Sequence, residues 1–163
     1  MRRSMLVAFV TLAVLSLGAL GTAAKTDFSG TWVLDIKQSE GIWQGTEQTL
    51  TVKQEGERID VELKAKTPQG ERTVKESYVP DGREVEFAPP GSLGKGKRTT
   101  KWTADGTGIE ISDLYDVQTP EGVDTMKAWR KWTLSGEGQR LIIEQRAQTP
   151  NGLSQTKRVF VKQ

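Results

Sequence analysis

Apolar and polar residues alternate one for one in short runs from Gly30 onward, and each run ends in a cluster of turn-forming residues. The stretch RIDVELKAK is the cleanest case. Ile59, Val61, Leu63 and Ala65 fall on one side and mostly charged residues on the other. A period of two places one face of an antiparallel strand on a core and the other in water. The same rule predicts a first strand over residues 31–36, with Trp32, Leu34 and Ile36 on one face. A second runs over residues 47–53 and turns at Gln54-Glu55-Gly56-Glu57. VPDGRE, ADGTG and SGEGQ mark further turns, because Pro, Asp and Gly supply the backbone angles that tight reversals need. No segment of this region carries a helical period.

Three turns are close copies: KTPQGERTVK, QTPEGVDTMK and QTPNGLSQTK. In each, Pro presets φ and Gly accepts a positive φ where the chain re-enters a strand. Three long hairpins follow from this, and their uneven spacing argues against a solenoid. The strands number about eight to ten, nearly all joined to their sequence neighbours, which predicts an all-β, antiparallel up-and-down β-barrel. A β-sandwich is the alternative. Hairpin registers centred on Pro120-Glu121 and Pro150-Asn151 set Ile111 opposite Arg130, Asp113 opposite Ala128, Tyr115 opposite Met126, Leu141 opposite Phe160 and Ile143 opposite Arg158. Arg130, Asp113 and Arg158 thereby face inward among apolar neighbours.

The beginning of the chain follows a different pattern. Arg2 and Arg3 precede an apolar run from Met5 to Leu20 and then Gly21-Thr22-Ala23-Ala24. A basic start, an apolar middle and a small-residue exit predict a cleaved Sec-type signal peptide over residues 1–24, with a secreted or periplasmic single domain over residues 25–163. No cysteine is present, so there is no lipobox and no disulfide framework, and no stable membrane span remains after cleavage. The leader holds two of the 23 basic residues and none of the 21 acidic ones, so the remainder is balanced. That balance argues against a nucleic-acid partner.

The 163 residues include no histidine and no cysteine. Ser-His and Cys-His nucleophile systems, histidine-held haem and ordinary zinc sites are therefore excluded. No cofactor, no metal site and no enzyme activity are expected. GSLGKGKR nearly fits a phosphate-binding loop, but Arg98 stands where Ser or Thr belongs and no helix pattern follows. It reads as a flexible Gly/Lys loop rather than a nucleotide site.

Phe28, Gly30, Thr31, Trp32 and Leu34 near the start, and Arg158-Val159-Phe160-Val161-Lys162 at the end, resemble the signatures of the calycin barrels. These are the lipocalins, the avidins and especially the fatty-acid-binding proteins. The chain is also similar to secreted bacterial lipocalin-like proteins. The resemblance implies a barrel closed at one end by Trp32 and Gly30 with Arg158 packed over the indole, and a small hydrophobic ligand inside. The family's Arg-x-Tyr carboxylate grip is Arg158-x-Phe160 here, so one donor is missing. Only KQSEGIWQGT stands where those proteins insert a helical lid.

The candidate ligand residues are thus Arg130, Asp113, Tyr115, Trp132, Tyr78, Arg158 and Phe160. Two readings of Asp113 with Arg130 stay open: a cationic anchor for an acidic head group, or an internal salt bridge. Trp129 falls on the opposite face from Trp132, with Ile142, Val159 and Val161 also outward, which predicts an exposed strip for self-association or a partner. The function expected is non-catalytic binding of a small, largely hydrophobic molecule, lipid or fatty-acid-like. The alternative is an envelope protein-interaction module with a filled barrel.

Overall fold

The computed structural model describes residues 25–89, 92–149 and 152–163; the leader reading falls outside these. The alternating runs form ten strands. The first five are β1 (Gly30–Leu34), β2 (Glu47–Glu55), β3 (Arg58–Thr67), β4 (Gly70–Tyr78) and β5 (Asp81–Phe87). The second five are β6 (Gly96–Trp102), β7 (Gly108–Thr119), β8 (Gly122–Ser135), β9 (Arg140–Thr149) and β10 (Gly152–Lys162). Among the described residues no helix is long and apolar enough to cross a membrane.

All ten strands lie in one antiparallel sheet ordered β4-β3-β2-β1-β10-β9-β8-β7-β6-β5. Every neighbour is a sequence neighbour except β1 and β10, which join the two ends of the chain. This is an up-and-down barrel and not a sandwich. The hairpin arithmetic holds residue for residue: Ile111↔Arg130, Asp113↔Ala128 and Tyr115↔Met126, and Ile143↔Arg158 and Leu141↔Phe160. The three Thr-Pro-x-Gly turns share one construction. Thr67, Thr119 and Thr149 pair with Gly70, Gly122 and Gly152, and each threonine hydroxyl donates to its glycine's carbonyl at 3.2, 3.0 and 2.9 Å. The glycines take φ of 131°, 136° and 113°, a region that residues with a Cβ avoid.

Closure differs from the expectation that a barrel removes its edges. β4 and β5 are consecutive in the chain but end the sheet on either side of an unpaired gap. The short Val79-Pro80 link, in which Pro80 has no N–H to give, and the register shift between Asp81 and Glu84 turn β5 away. Charged side chains such as Arg83, Glu84 and Glu86 line this edge, which protects it from strand addition.

One end of the barrel is solidly packed. The segment before β1 folds under it, with Thr26 N–H bonded to Gly106 O at 3.3 Å and Lys25 paired with Glu57 at 2.8 Å. Phe28 is fully buried there, stacked on Trp102 at 6.2 Å and edge-on to Trp132 at 6.0 Å. The Trp32 indole N–H donates to Phe28 O at 3.0 Å. Ile59, Ile109, Leu141 and Phe160 complete this core. Each such side chain contributes about 1.5–3 kcal/mol through apolar burial. Trp32 and Gly30 sit at the closed end as expected, but Arg158 does not. The cation over the Trp32 ring is Lys162, at 5.2 Å from its centroid. The register explains the correction, because Trp32 is paired with Lys162, while Arg158 lies four residues further along β10, about 13 Å at strand rise.

The first strand stops at Leu34, two residues short of the expected end. The Asp35 carboxylate accepts from the Lys37 and Gln38 N–H groups at 3.1 and 3.3 Å and starts a turn. That connection then runs beside β10, through Asp35 N–H to Val159 O at 2.8 Å and Val159 N–H to the Ser39 hydroxyl at 3.0 Å. Val159 is buried beside it, so the expected outward strip is not continuous.

Candidate functional site

Above the apolar core, four charged side chains from four strands meet inside the barrel. Arg98 of β6 clamps Asp113 of β7 with two hydrogen bonds, 2.6 and 2.9 Å. Arg98 also reaches Glu76 of β4 at 2.9 Å. Arg130 of β8 donates to the second oxygen of Asp113 at 2.6 Å and to Glu76 at 3.3 Å. Both cations therefore touch both anions, in a closed ring of alternating charge. Tyr78 completes it by accepting from Arg130 at 3.1 Å and donating to Glu76. The Arg98 guanidinium lies over Phe87 at 4.1 Å and Tyr78 at 5.1 Å.

This ring joins β4 to β6 and β8, so side chains cross the gap that backbone bonds leave open. Burial works to raise the Glu76 carboxyl, but Arg130 and Arg98 outweigh it and hold it below the ordinary range. Burial likewise opposes the Arg130 charge, which Tyr78, Glu76 and Asp113 more than restore. Buried charges paired in this way need not add net stability, but breaking such a pair from one side is costly because it leaves a buried charge uncompensated. The ring thus supplies side-chain bridges across the gap between β4 and β5.

Arg158 is the exception. It projects from β10 into the same interior, yet its recorded bond is from Nη1 to the neutral Gln145 Oε1 at 3.3 Å. Its Nε is buried with no hydrogen-bond partner among the described residues. Burial, with Arg130 and Arg72 nearby, lowers its pKa. Among the described residues this part of the interior thus holds three guanidiniums against two carboxylates, an excess of one positive charge at Arg158.

A cavity of about 70 Å³ adjoins it, lined by Gln48, Tyr78, Arg130, Trp132 and Phe160 among others. Gln48 Oε1 and Trp132 Nε1 are also buried without partners. Sites for drug-sized ligands occupy about 300–1,000 Å³, so this space fits a head group and not an acyl chain. Next to it, toward the Thr-Pro-x-Gly hairpins, the inner wall carries small residues. Ala65 pairs with Arg72 and Gln48, and Ala128 with Asp113 and Ala147; Ala65 and Ala147 are buried.

Of the residues singled out from sequence, Arg130, Asp113 and Tyr78 come together in the ring, while Trp132, Arg158 and Phe160 line the cavity beside it. Tyr115 does not line the cavity. It is half-buried, edge-on to Phe87 at 5.9 Å, against Gly96, where an added Cβ would sit 2.6 Å from Tyr115 Cβ. Trp129 faces outward, with Arg146 over its ring at 5.6 Å. Sequence reasoning missed Arg98 and Glu76. Glu76 shares its alternation with Val74 and Tyr78, a readable signal. Arg98 was hidden in GSLGKGKR, whose last three residues, Gly96 to Arg98, are not loop but the start of β6.

No protein-family model and no curated protein sequence matches the chain. Solved structures do. One is a REP1-NXSQ fatty acid transporter, 14% identical with a TM-score of 0.56 over 83% of this chain and 96% of that one. Another is the apo lipid binding protein 8 of Caenorhabditis elegans, 14% identical with a TM-score of 0.56 over 83% and 95%. A third is a zebrafish ileal bile acid-binding protein complexed with cholic acid, 18% identical with a TM-score of 0.55 over 83% and 98%. The likeness is one of fold: the chain has the calycin-like barrel.

Proposed function

We propose that this protein is an exported, non-catalytic carrier of a small, largely hydrophobic acid. The acid head seats on Arg158, and the apolar part runs along Ala65, Val74, Ala128 and Ala147 toward the hairpin end. The observation that carries this reading is the interior guanidinium without an acidic partner. Desolvating a cation is expensive, and an arriving carboxylate compensates it with charge-assisted bonds. The fold neighbours, whose names concern a fatty acid, a lipid and a bile acid, support it at the level of fold. The leader pattern supports export.

Calorimetric titration of the mature protein with hexanoate, octanoate and palmitate tests the reading. Short and medium chains are expected to bind ahead of the long one, because only the short inner wall from Arg158 to the hairpin end is left for the apolar part once the head group fills the cavity of about 70 Å³. Arg158→Met is expected to abolish binding. Failure of all three acids to bind, or unchanged binding by Arg158→Met, overturns it. Export is tested separately by fractionating cells that express the full chain.

A second reading has one observation in its favour. An outer groove of about 450 Å³ passes Trp129, Leu114 and Leu153, with Leu114 and Leu153 40% and 69% exposed. An interaction module would use this face and leave the small interior cavity idle. Sedimentation of wild type and Trp129→Ser tests it through self-association.

A further inference from the structure

We infer that the acid bound at Arg158 carries a hydroxyl close to its carboxylate; this deepens the carrier reading and rests on it. The inference comes from counting donors and acceptors around the 70 Å³ cavity. Two atoms of its lining residues that are buried without a hydrogen-bond partner among the described residues are donors, Arg158 Nε and the Trp132 indole nitrogen. An ionised carboxylate has only acceptors, so its two oxygens suit these two donors. The third atom, Gln48 Oε1, is itself an acceptor, and a carboxylate leaves it unsatisfied. Gln48 is only 7% exposed and Trp132 3%, so neither residue opens directly onto bulk solvent.

A guest with a carboxylate alone therefore leaves one buried acceptor unpaired, whereas a hydroxyl donates to it. The size of the cavity sets the spacing. At about 70 Å³ the cavity is far smaller than a site for a drug-sized ligand, so carboxylate and hydroxyl sit on the same or adjacent carbons, as in 2- or 3-hydroxy acids. The strands that hold the three groups fix their relation. Gln48 comes from β2, Trp132 from β8 and Arg158 from β10, and the sheet order brings β2 and β8 to the cavity from either side of β10.

The test is calorimetric titration with octanoate and 3-hydroxyoctanoate, against wild type, Gln48→Leu and Arg158→Met. Wild type is expected to prefer the hydroxy acid about tenfold, the range that satisfying one buried polar group gives. Gln48→Leu is expected to bind both acids alike at the octanoate level, and Arg158→Met to bind neither. Equal affinity of wild type for the two acids overturns the hydroxyl inference while leaving the carrier reading intact. A preference that persists in Gln48→Leu overturns it too, because the hydroxyl is then read elsewhere. If neither acid binds wild type, the carrier reading fails and the inference with it. Near- and far-ultraviolet circular dichroism of each variant separates lost binding from lost folding.

Discussion

Replacing Arg98 with Met removes one corner of the interior ring and keeps an apolar side chain against Phe87. Three charge-assisted contacts disappear: two to Asp113 and one to Glu76. Each is worth about 1.5–3 kcal/mol, and the guanidinium's desolvation cost, recovered on removal, offsets part of the sum. Arg98 is 6% and Asp113 8% exposed, so solvent does not screen what remains. The ring is left with Glu76, Asp113 and Arg130, a buried excess of negative charge. Breaking a buried pair from one side costs about 3–5 kcal/mol. With m near 2 kcal/mol/M in urea, that shifts the unfolding midpoint down by about 1.5–2.5 M. The second arm is Arg98→Met with Asp113→Leu, which leaves Glu76 paired with Arg130 and Tyr78 and no uncompensated anion. This double variant is expected to lose no more than Arg98→Met alone, a coupling of at least about 2 kcal/mol relative to the summed single variants. Urea unfolding followed by tryptophan fluorescence measures all four proteins. If the double variant loses the sum of the two single losses, the four side chains act independently and the ring argument is wrong.

Three further outcomes follow from the same geometry. Arg158→Met is expected to raise thermal stability, by about 1 kcal/mol or more, while abolishing acid binding, since it removes an uncompensated interior charge; a less stable variant counts against Arg158 being unpaired. Glu76 has a folded-state pKa held below its unfolded value, so its contribution is present above the ordinary carboxylate range and is lost as the pH falls through the folded value. Glu76→Gln, measured by urea unfolding between pH 7 and pH 3, is expected to be less stable at neutral pH and to show a flatter acid limb, and an unchanged limb refutes the assignment. Gly96→Ala places a Cβ 2.7 Å from Leu114 O and 2.8 Å from Phe87 Cε1, and thermal unfolding is expected to report a loss of about 1–3 kcal/mol.

The barrel was legible because it rests on a rule with period two and on a turn that the chain writes three times. Once Thr-Pro-x-Gly fixes where a hairpin folds, every cross-strand partner follows by counting, and Asp113 with Arg130 was found that way. The failures come from places where counting has nothing to hold. Lys162 over Trp32 depends on how far β1 extends along β10, and that is decided by the Asp35 turn, not by a hairpin. Arg98 lies on an inward face made of Gly96, Arg98 and Thr100, with no apolar residue to mark it until Trp102. The gap between β4 and β5 leaves no pattern either, because Val74 and Tyr78 on β4 and Val85 and Phe87 on β5 alternate just as they would in two paired strands. Val159 was placed outward by alternation, correctly for the sheet, but the connection over residues 35–40 covers it.

The late strand β10 offers an internal comparison. Lys162 and Arg158 are four residues apart on it, and the family resemblance implied Arg158 for the structural post over Trp32. Lys162 holds that post, exposed and therefore cheap to keep charged. Arg158 stands in the interior, beside Arg130 and within the field of Arg72, where an apolar residue of similar length packs without any desolvation cost. The ring of Arg98, Asp113, Arg130 and Glu76 already closes the barrel without it, so closure does not require a third guanidinium. Nor does solubility, since the charge is turned inward. An inward-facing, half-buried cation that neither the fold nor the surface needs is what the proposed carrier role calls for, a seat for an anion that comes and goes. The most economical occupant is one whose charge meets Arg158 and whose remaining polar group meets Gln48.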